Sequence, residues 1–374
     1  MKKLFSILVL ALSCSALFAQ QTAVALLNHE GTISTFYGSD ALVQAHKAAA
    51  EGDVITLSGG AFTAPSSWTK AVTLRGAGCY EGAKNTREVT YIGNEFNLAI
   101  PVVTEIPLII EGICFKSRFN FYQSTPTKNI NTTFLKCYFM SSVQSVTHNT
   151  NFYNCILAYN LSFQADDLRL ANVNLFNCYV NAPNNNSSYV STKFTNCIIR
   201  TESGTNNYST YNIWNMQYAK YDNCIFLGNE LKYNYSPNTA NLPTTCTATY
   251  CLSCYCAYRD ATEAEDAIYD YNIFDEMSNT TNKYLEEGKP ISETISSVFK
   301  TYNGTDAFSF NELYELTDEA KAMYIGSDGT QIGLYGGMGF NLIPSTLQIT
   351  KCEVAPRSTS DGKLSVSIEV GIPE

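Results

Sequence analysis

A six-residue pattern recurs along this chain and constrains its fold more than any other feature. Its clearest copy is Phe-Tyr-Asn-Cys-Ile-Leu at residues 152–157. Similar copies occupy residues 134–139, 175–180, 194–199 and 221–226. Apolar or aromatic residues fill the first, fourth and sixth places of every copy. A repeat of this kind predicts that one short structural unit is built several times along the chain.

The spacing of the apolar places indicates two short strands joined by a one-residue bend. Side chains along a strand alternate between its two faces, so a step of three positions needs a residue that turns the chain. Asparagine precedes the cysteine in four copies, and it tolerates the left-handed backbone conformation better than most residues. We therefore predict bends at Asn154, Asn177, Asn196 and Asn223, with Lys136 in the same place of the remaining copy. The first, fourth and sixth side chains should then point inward.

Two earlier stretches fit the same pattern with glycine at the bend. Residues 110–115 place Gly112 there, and residues 74–79 place Gly76 there, with Ala77 at the inward cysteine place. Glycine accepts a positive φ at no steric cost. One geometric demand therefore predicts bends at both glycines as well.

The distance between copies indicates the architecture. The fourth places lie at positions 113, 137, 155, 178, 197 and 224, which are 24, 18, 23, 19 and 27 residues apart. A period of this size with short strands and no helix inside the repeat is typical of a solenoid. We predict a parallel β-helix in which Cys137, Cys155, Cys178, Cys197 and Cys224 form one interior ladder.

These stacked Asn-Cys bends resemble the right-handed parallel β-helix of the pectin-lyase-like superfamily, over about residues 38–340. More narrowly, they resemble the secreted β-helix proteins that are common in gut Bacteroidetes. The resemblance implies an all-β, right-handed parallel β-helix solenoid with an N-terminal cap helix and a short C-terminal β tail. We expect a signal peptide over 1–19, the β-helix with its cap over 20–343, and the β tail over 344–374.

Two helices are predicted at the ends of the coil. Ser39 is placed to cap a helix that ends by Gly52, and Thr317 is placed to cap a second one. The first would cover the open end of the apolar core, where strand edges would otherwise be unpaired.

The N-terminal residues read as an export signal. Lys2 and Lys3 precede an apolar run, and Ala19 is a suitable cleavage position, although Leu17 departs from the small residue preferred there. Anchoring as a lipoprotein at Cys14 is the alternative. No other stretch is long and apolar enough to span a membrane. We expect a secreted, periplasmic or cell-surface protein.

The net charge of the chain restricts the molecules that it can bind. The formal net charge is −10, and loss of Lys2 and Lys3 leaves 22 basic and 34 acidic residues, or −12. Nucleic acid and anionic membranes are disfavoured because phosphate binding needs clustered lysine and arginine. The same balance weakens the case for an acidic polysaccharide. A polysaccharide or cell-surface glycan of low charge is the favoured ligand, and a protein partner stays unspecified.

Twelve cysteines remain after the signal, and for the ladder members we favour stacked free thiols, because free cysteine packs as a small hydrophobe. Further along, Cys246, Cys251, Cys254 and Cys256 are spaced unlike common zinc sites. Buried thiols or one local disulfide are the favoured alternatives there. We expect no metal and no cofactor in the binding protein.

Catalytic candidates are few. The three histidines are scattered along the chain at positions 29, 46 and 148, which disfavours a catalytic triad. Asp166, Asp167 and Arg169 form the best charged cluster for a calcium-dependent polysaccharide lyase or a glycoside hydrolase, although a solvated turn is the favoured explanation. The hydrolase signatures of the superfamily are absent, which favours binding over catalysis. The candidates for stacking on sugar rings are Tyr189, Tyr208, Tyr211 and Tyr218, although packing at the bases of loops is the favoured explanation.

Overall fold

The structure is a computed structural model of the 374-residue chain. It describes residues 23–80, 89–101, 104–122, 130–147, 149–163, 172–181, 183–185, 191–200, 218–227, 247–249, 252–254, 285–286, 289–290, 292–293, 295–301, 308–310, 314–345, 348–354 and 366–371.

Short strands dominate the described residues. The first fifteen are β1 (Val24–His29), β2 (Thr32–Tyr37), β3 (Val54–Leu57), β4 (Gly60–Phe62), β5 (Thr73–Arg75), β6 (Thr90–Ile92), β7 (Phe96–Leu98), β8 (Leu108–Glu111), β9 (Cys114–Phe115), β10 (Phe119–Phe121), β11 (Thr132–Leu135), β12 (Tyr138–Phe139), β13 (Val143–Val146), β14 (Thr150–Tyr153) and β15 (Ile156–Leu157). The others are β16 (Leu161–Phe163), β17 (Val173–Phe176), β18 (Tyr179–Asn181), β19 (Pro183–Asn185), β20 (Ser191–Thr195), β21 (Ile198–Arg200), β22 (Tyr218–Asp222), β23 (Ile225–Leu227), β24 (Thr247–Thr249), β25 (Leu252–Cys254), β26 (Leu285–Glu286), β27 (Lys289–Pro290), β28 (Ser292–Glu293), β29 (Gln348–Val354) and β30 (Val366–Gly371). The helices are α1 (Ala41–Ala48), α2 (Ile295–Val298) and α3 (Asp318–Met323).

The strands assemble into three long sheets. The eleven-stranded sheet has the order β2-β1-β3-β5-β8-β11-β14-β17-β20-β22-β24. The ten-stranded sheet runs β28-β25-β23-β21-β18-β15-β12-β9-β6-β4, and the five-stranded sheet runs β19-β16-β13-β10-β7. Successive turns of the chain add one strand to the eleven-stranded and ten-stranded sheets, and the turns from β7 to β19 add one to the five-stranded sheet as well. From β3 onward, neighbours within these three sheets pair in parallel. The prediction of an all-β parallel solenoid is confirmed.

The core consists of columns of apolar side chains that are register partners on successive strands. In the eleven-stranded sheet one column is fully buried and contains Ile55, Leu74, Ile110, Phe134, Phe152, Leu175, Phe194 and Tyr221. The rings of Phe134 and Phe152 stack with centroids 4.9 Å apart. Each buried phenylalanine contributes about 1.5–3 kcal/mol through the area removed from water. Repetition of this burial from rung to rung stabilises the coil.

Helix α1 covers the N-terminal end of the core. Leu42 and Ala45 of this helix are fully buried. The helix begins after Asp40, not after Ser39, and no side chain caps its first turn, so the predicted Ser39 cap is wrong. Lys70 instead caps the other end, because its ammonium donates to the carbonyls of His46 and Ala49.

The outer face of the ten-stranded sheet is covered by the C-terminal part of the chain. Ile156, Ile198 and Ile225 point outward from that sheet and pack in a second apolar cluster with residues of 298–342. Helix α3 lies within this cover. Thr317 caps it by accepting a hydrogen bond from the Ala320 N–H at 3.1 Å, as predicted. Beyond the cover, β29 and β30 pair as an antiparallel hairpin.

We predict that acidification to pH 5 lowers the free energy of unfolding by about 2 kcal/mol through His46. Burial beside Trp68, helped by the charge of Lys70, lowers the pKa of His46 from 6.5 to about 4. The unfolded chain therefore takes up this proton before the folded chain does. The contribution of His46 is complete above pH 6.5 and is lost as the pH falls toward 4. Urea titrations at pH 7 and pH 5 measure the loss.

A pair of variants separates this effect from that of His29. The Nδ1 atom of His29 lies 2.8 Å from Asp53, and this hydrogen bond raises the pKa of His29. Its contribution is present at low pH and is lost as the pH rises through the raised value, which is the opposite sign. His46→Gln keeps an acceptor for the Thr69 N–H and should remove most of the acid loss, whereas His29→Gln should not. Equal acid sensitivity in His46→Gln and the parent would contradict the assignment.

Candidate functional site

Most of the residues that the sequence predicts as catalytic or ligand-binding lie outside the described residues. Asp166, Asp167 and Arg169 fall in 164–171. Tyr189 falls in 186–190, and Tyr208 and Tyr211 fall in 201–217. Tyr218 begins β22, and its side chain lies outside the described part. In chain order these segments lead into β17, β20 and β22, all strands of the eleven-stranded sheet.

The side chains of the four downstream cysteines also lie outside the described part of the chain. Cys246, Cys251 and Cys256 are outside the described residues, and Cys254 ends β25 with its side chain outside them. Their thiol or disulfide state therefore stays a prediction.

The bends take the conformation that the repeat predicts. Asn154, Asn177, Asn196 and Asn223 have φ between 50° and 55°, and Lys136 has φ 54°. Gly112 also has a positive φ, of 67°. The left-handed bend predicted at Gly76 is wrong, and Ala77 is half-buried. Gly76 is needed for close packing instead, since a Cβ there would lie 2.4 Å from the Gly112 carbonyl oxygen.

The five ladder cysteines are buried free thiols. They are Cys137, Cys155, Cys178, Cys197 and Cys224. Each donates to the carbonyl two residues before it, at Sγ–O distances of 3.2 to 3.4 Å. Burial raises the pKa of the Cys137 and Cys178 thiols. All five thiols are fully buried and bonded to backbone carbonyls, so reagents cannot reach them and the ladder is a structural feature of the core.

Residues 324–345, here called the strap, run across the row of bends. Asn177 shows why the bend residue is asparagine, because its Nδ2 donates to the carbonyls of Leu334 at 2.8 Å and Gly336 at 2.6 Å. All three groups are buried together. The amide therefore serves both its own bend and the backbone of a segment more than 150 residues away.

The strap follows the bends from the last rungs back toward the first. Near its start, the Ser327 N–H donates to Asn223 Oδ1 at 2.8 Å. Near its end, the Asn341 N–H donates to Asn154 Oδ1 at 3.4 Å. The strap thus runs opposite to the progression of the coil and joins rungs that are distant in the chain.

The strap ends on a buried carboxylate. Lys136 donates to the carbonyl of Ile343, and the Ser345 N–H donates to Glu111 Oε1 at 2.7 Å. Glu111 is 2% exposed, and Arg75 on the adjacent strand lies 3.7 Å from its other oxygen. These contacts join the end of the strap to β8.

The outer face of the eleven-stranded sheet carries an ordered row of polar side chains. This amide stripe consists of register partners on five successive strands: Thr133, Asn151, Asn174, Lys193 and Lys220. Asn174 Nδ2 donates to Asn151 Oδ1 at 2.9 Å. Within the described residues, Asn151 Nδ2 and Asn174 Oδ1 have no partner. One donor and one acceptor are thus available to a ligand.

An apolar row lies beside the amide stripe. This aromatic stripe consists of Leu135, Tyr153 and Phe176, which are register partners and half-buried. The rings of Tyr153 and Phe176 are nearly parallel, with centroids 4.9 Å apart. Their faces are turned toward each other, so a ligand meets the ring edges and the outer faces of the pair. Each bend directly follows a stripe member, so the strap runs alongside this row.

The far end of the amide stripe is charged. Lys193 lies 3.1 Å from Asp222 on the next strand, and Lys220 is exposed. An exposed pair of this kind contributes at most about 1 kcal/mol to stability. Neither stripe was predicted, because loops were expected to carry the ligand site. Strand alternation before each bend is the signal that places these side chains on the outer face.

The arrangement is suited to non-covalent binding of a polar, extended molecule. Donors and acceptors repeat at the strand spacing of about 4.8 Å, beside apolar surface. In the described part of the chain no group of three or more His, Cys, Asp or Glu side chains is placed to hold a metal ion. Nor does any helix there have the length and apolar character to cross a membrane.

Comparison of the chain with protein-family models, with curated proteins and with solved structures yields no match.

Proposed function

We propose that this protein is an exported binding or adhesion-like protein that holds an extended glycan along the outer face of its eleven-stranded sheet. The alignment of the amide stripe with the aromatic stripe over successive rungs is the observation that supports it most. Sugars present hydroxyl groups that both donate and accept, together with apolar C–H surfaces. Side-chain amides match the first, and aromatic and aliphatic side chains match the second.

The proposed ligand is a glycan of low charge. The chain carries a net charge of −10, and the middle of the stripes, at Asn151, Asn174, Tyr153 and Phe176, is uncharged. The export signal that the sequence predicts over 1–19 is consistent with a ligand outside the cytoplasm. Membership of the pectin-lyase-like superfamily, in the secreted kind common in gut Bacteroidetes, is part of the same proposal. The parallel sheets and stacked Asn bends support it.

A glycan panel incubated with the purified protein tests the proposal. Binding is measured by calorimetry, with and without calcium, while new reducing ends and unsaturated ends are monitored. Binding without product supports the proposed function. Product that disappears in Asp166→Asn would show instead that the sequence-based alternative, a lyase or hydrolase, is correct.

We predict that Asn174→Ala weakens glycan binding about tenfold, the effect of one or two hydrogen bonds. Asn120→Ala is the matched control. Asn120 Nδ2 donates to Asn97 Oδ1 at 2.8 Å in the same rung-to-rung geometry, but on the five-stranded sheet. Each variant loses one rung-to-rung amide pair, and Asn174→Ala loses in addition an exposed hydrogen bond to Asn172, so their stabilities should change by similar amounts. Equal weakening of binding by the two variants would place the ligand elsewhere.

A further inference from the structure

The strand β2 presents a free edge at the start of the eleven-stranded sheet. Within the described residues no strand pairs with β2 on the side away from β1. The Gly38 N–H donates to the Ala23 carbonyl at 2.8 Å, so every second residue of β2 pairs with β1. The backbone groups of Ile33, Thr35 and Tyr37 therefore point outward at this edge.

The same strand carries exposed apolar side chains. Ile33 is 59% exposed and Tyr37 is 64% exposed, and Leu26 of β1 lies on the same face at 37%. No charged residue or proline occurs in β2, although edge strands are commonly protected by such residues. An unprotected edge of this composition is a surface for pairing with another strand.

We propose that β2 pairs antiparallel with β2 of a second copy of this chain, about a two-fold axis at Thr35. This register sets Thr35 opposite Thr35 and Ile33 opposite Tyr37. The three outward-pointing residues of each copy then exchange about six backbone hydrogen bonds, all with correct polarity. Two Ile–Tyr cross-strand pairs form on the outer face, which is a favourable combination.

The pattern of β2 favours a second copy as the partner. An isologous interface needs a surface that is its own complement. When two copies of β2 run antiparallel, Ile33 of each copy lies opposite Tyr37 of the other, and Thr35 lies opposite Thr35. Each apolar side chain therefore meets an apolar one. Just past the strand ends, Glu30 faces Asp40 of the other copy. This repulsion is screened by salt, so the dimer should tighten as ionic strength rises.

Sedimentation of the purified chain over a range of concentrations tests the proposal. We expect a monomer–dimer equilibrium that shifts toward dimer in high salt. Thr35→Pro removes an N–H that faces away from β1, so the hairpin of β1 and β2 is kept. It deletes two of the intermolecular hydrogen bonds and should raise the dissociation constant about tenfold or more. A dimer unchanged in Thr35→Pro, or a monomer at every concentration, overturns the proposal.

Disulfide cross-linking tests the register between the two β2 strands independently of Thr35→Pro. In Thr35→Cys the two-fold sets the new cysteines opposite each other, at a Cα separation of about 5.5 Å that a disulfide can span. In the control Ile33→Cys the two cysteines are four residues out of register, about 14 Å apart. Oxidised glutathione accepts the two electrons and is released as two thiols. Covalent dimer in Thr35→Cys alone is expected, and equal yields in both variants overturn the register.

Discussion

Replacement of Asn177 by alanine is expected to lower the free energy of unfolding by about 4 kcal/mol. The change removes the donor for two buried carbonyls, those of Leu334 and Gly336. Each unsatisfied buried acceptor costs about 1–3 kcal/mol. Alanine also pays about 1 kcal/mol to keep the left-handed conformation at φ 50°. Urea titration followed by fluorescence measures the loss.

Two further variants separate the causes. Asn177→Gly keeps the bend without strain and loses only the amide, so it should be about 1 kcal/mol more stable than Asn177→Ala. Asn154→Ala has the same backbone penalty, but it loses only one hydrogen bond, the longer one of 3.4 Å from the Asn341 N–H to Asn154 Oδ1. It should cost about half as much as Asn177→Ala. Equal losses at the two positions would mean that the amide contacts with the strap do not stabilise the fold.

Replacement of Gly336 by alanine is expected to cost about 3 kcal/mol, at the upper end of the range for overpacking. A Cβ at this position would lie 2.0 Å from the Gln331 carbonyl oxygen and 2.9 Å from Asn196 Oδ1. Neither neighbour can move freely, since one is backbone and the other belongs to a bend. The strap should therefore loosen from the bends, which increased proteolysis within 324–345 would report.

Gly339 supplies the control for this substitution. Its φ is 77°, and a Cβ there would meet nothing within 4 Å. Gly339→Ala should cost about 1 kcal/mol, which is the backbone penalty alone. If Gly336→Ala were no worse than Gly339→Ala, close packing of the strap on the bends would not explain the glycine.

The local features of the coil were predictable from the sequence because they depend on neighbouring residues. The step of three between Phe152 and Cys155 requires a bend, and Asn154 is one of the few residues that adopt it readily. The repeat distance then requires stacked rungs. The same reasoning failed at Gly76, where the glycine is needed because Gly112 of the next rung lies against it.

The contacts between distant parts of the chain were decided by the tertiary structure alone. Nothing near Asn177 in sequence shows that its amide binds the carbonyls of 334 and 336. Nor does any local pattern show that residues of 298–342 cover the ten-stranded sheet while, among the described residues, the amide stripe of the eleven-stranded sheet stays partly exposed. Periodicity specifies the faces of each strand, since side-chain direction is local. Which face receives a cover depends on where a segment more than 100 residues away packs, and that is settled by burial and hydrogen bonding in the folded chain.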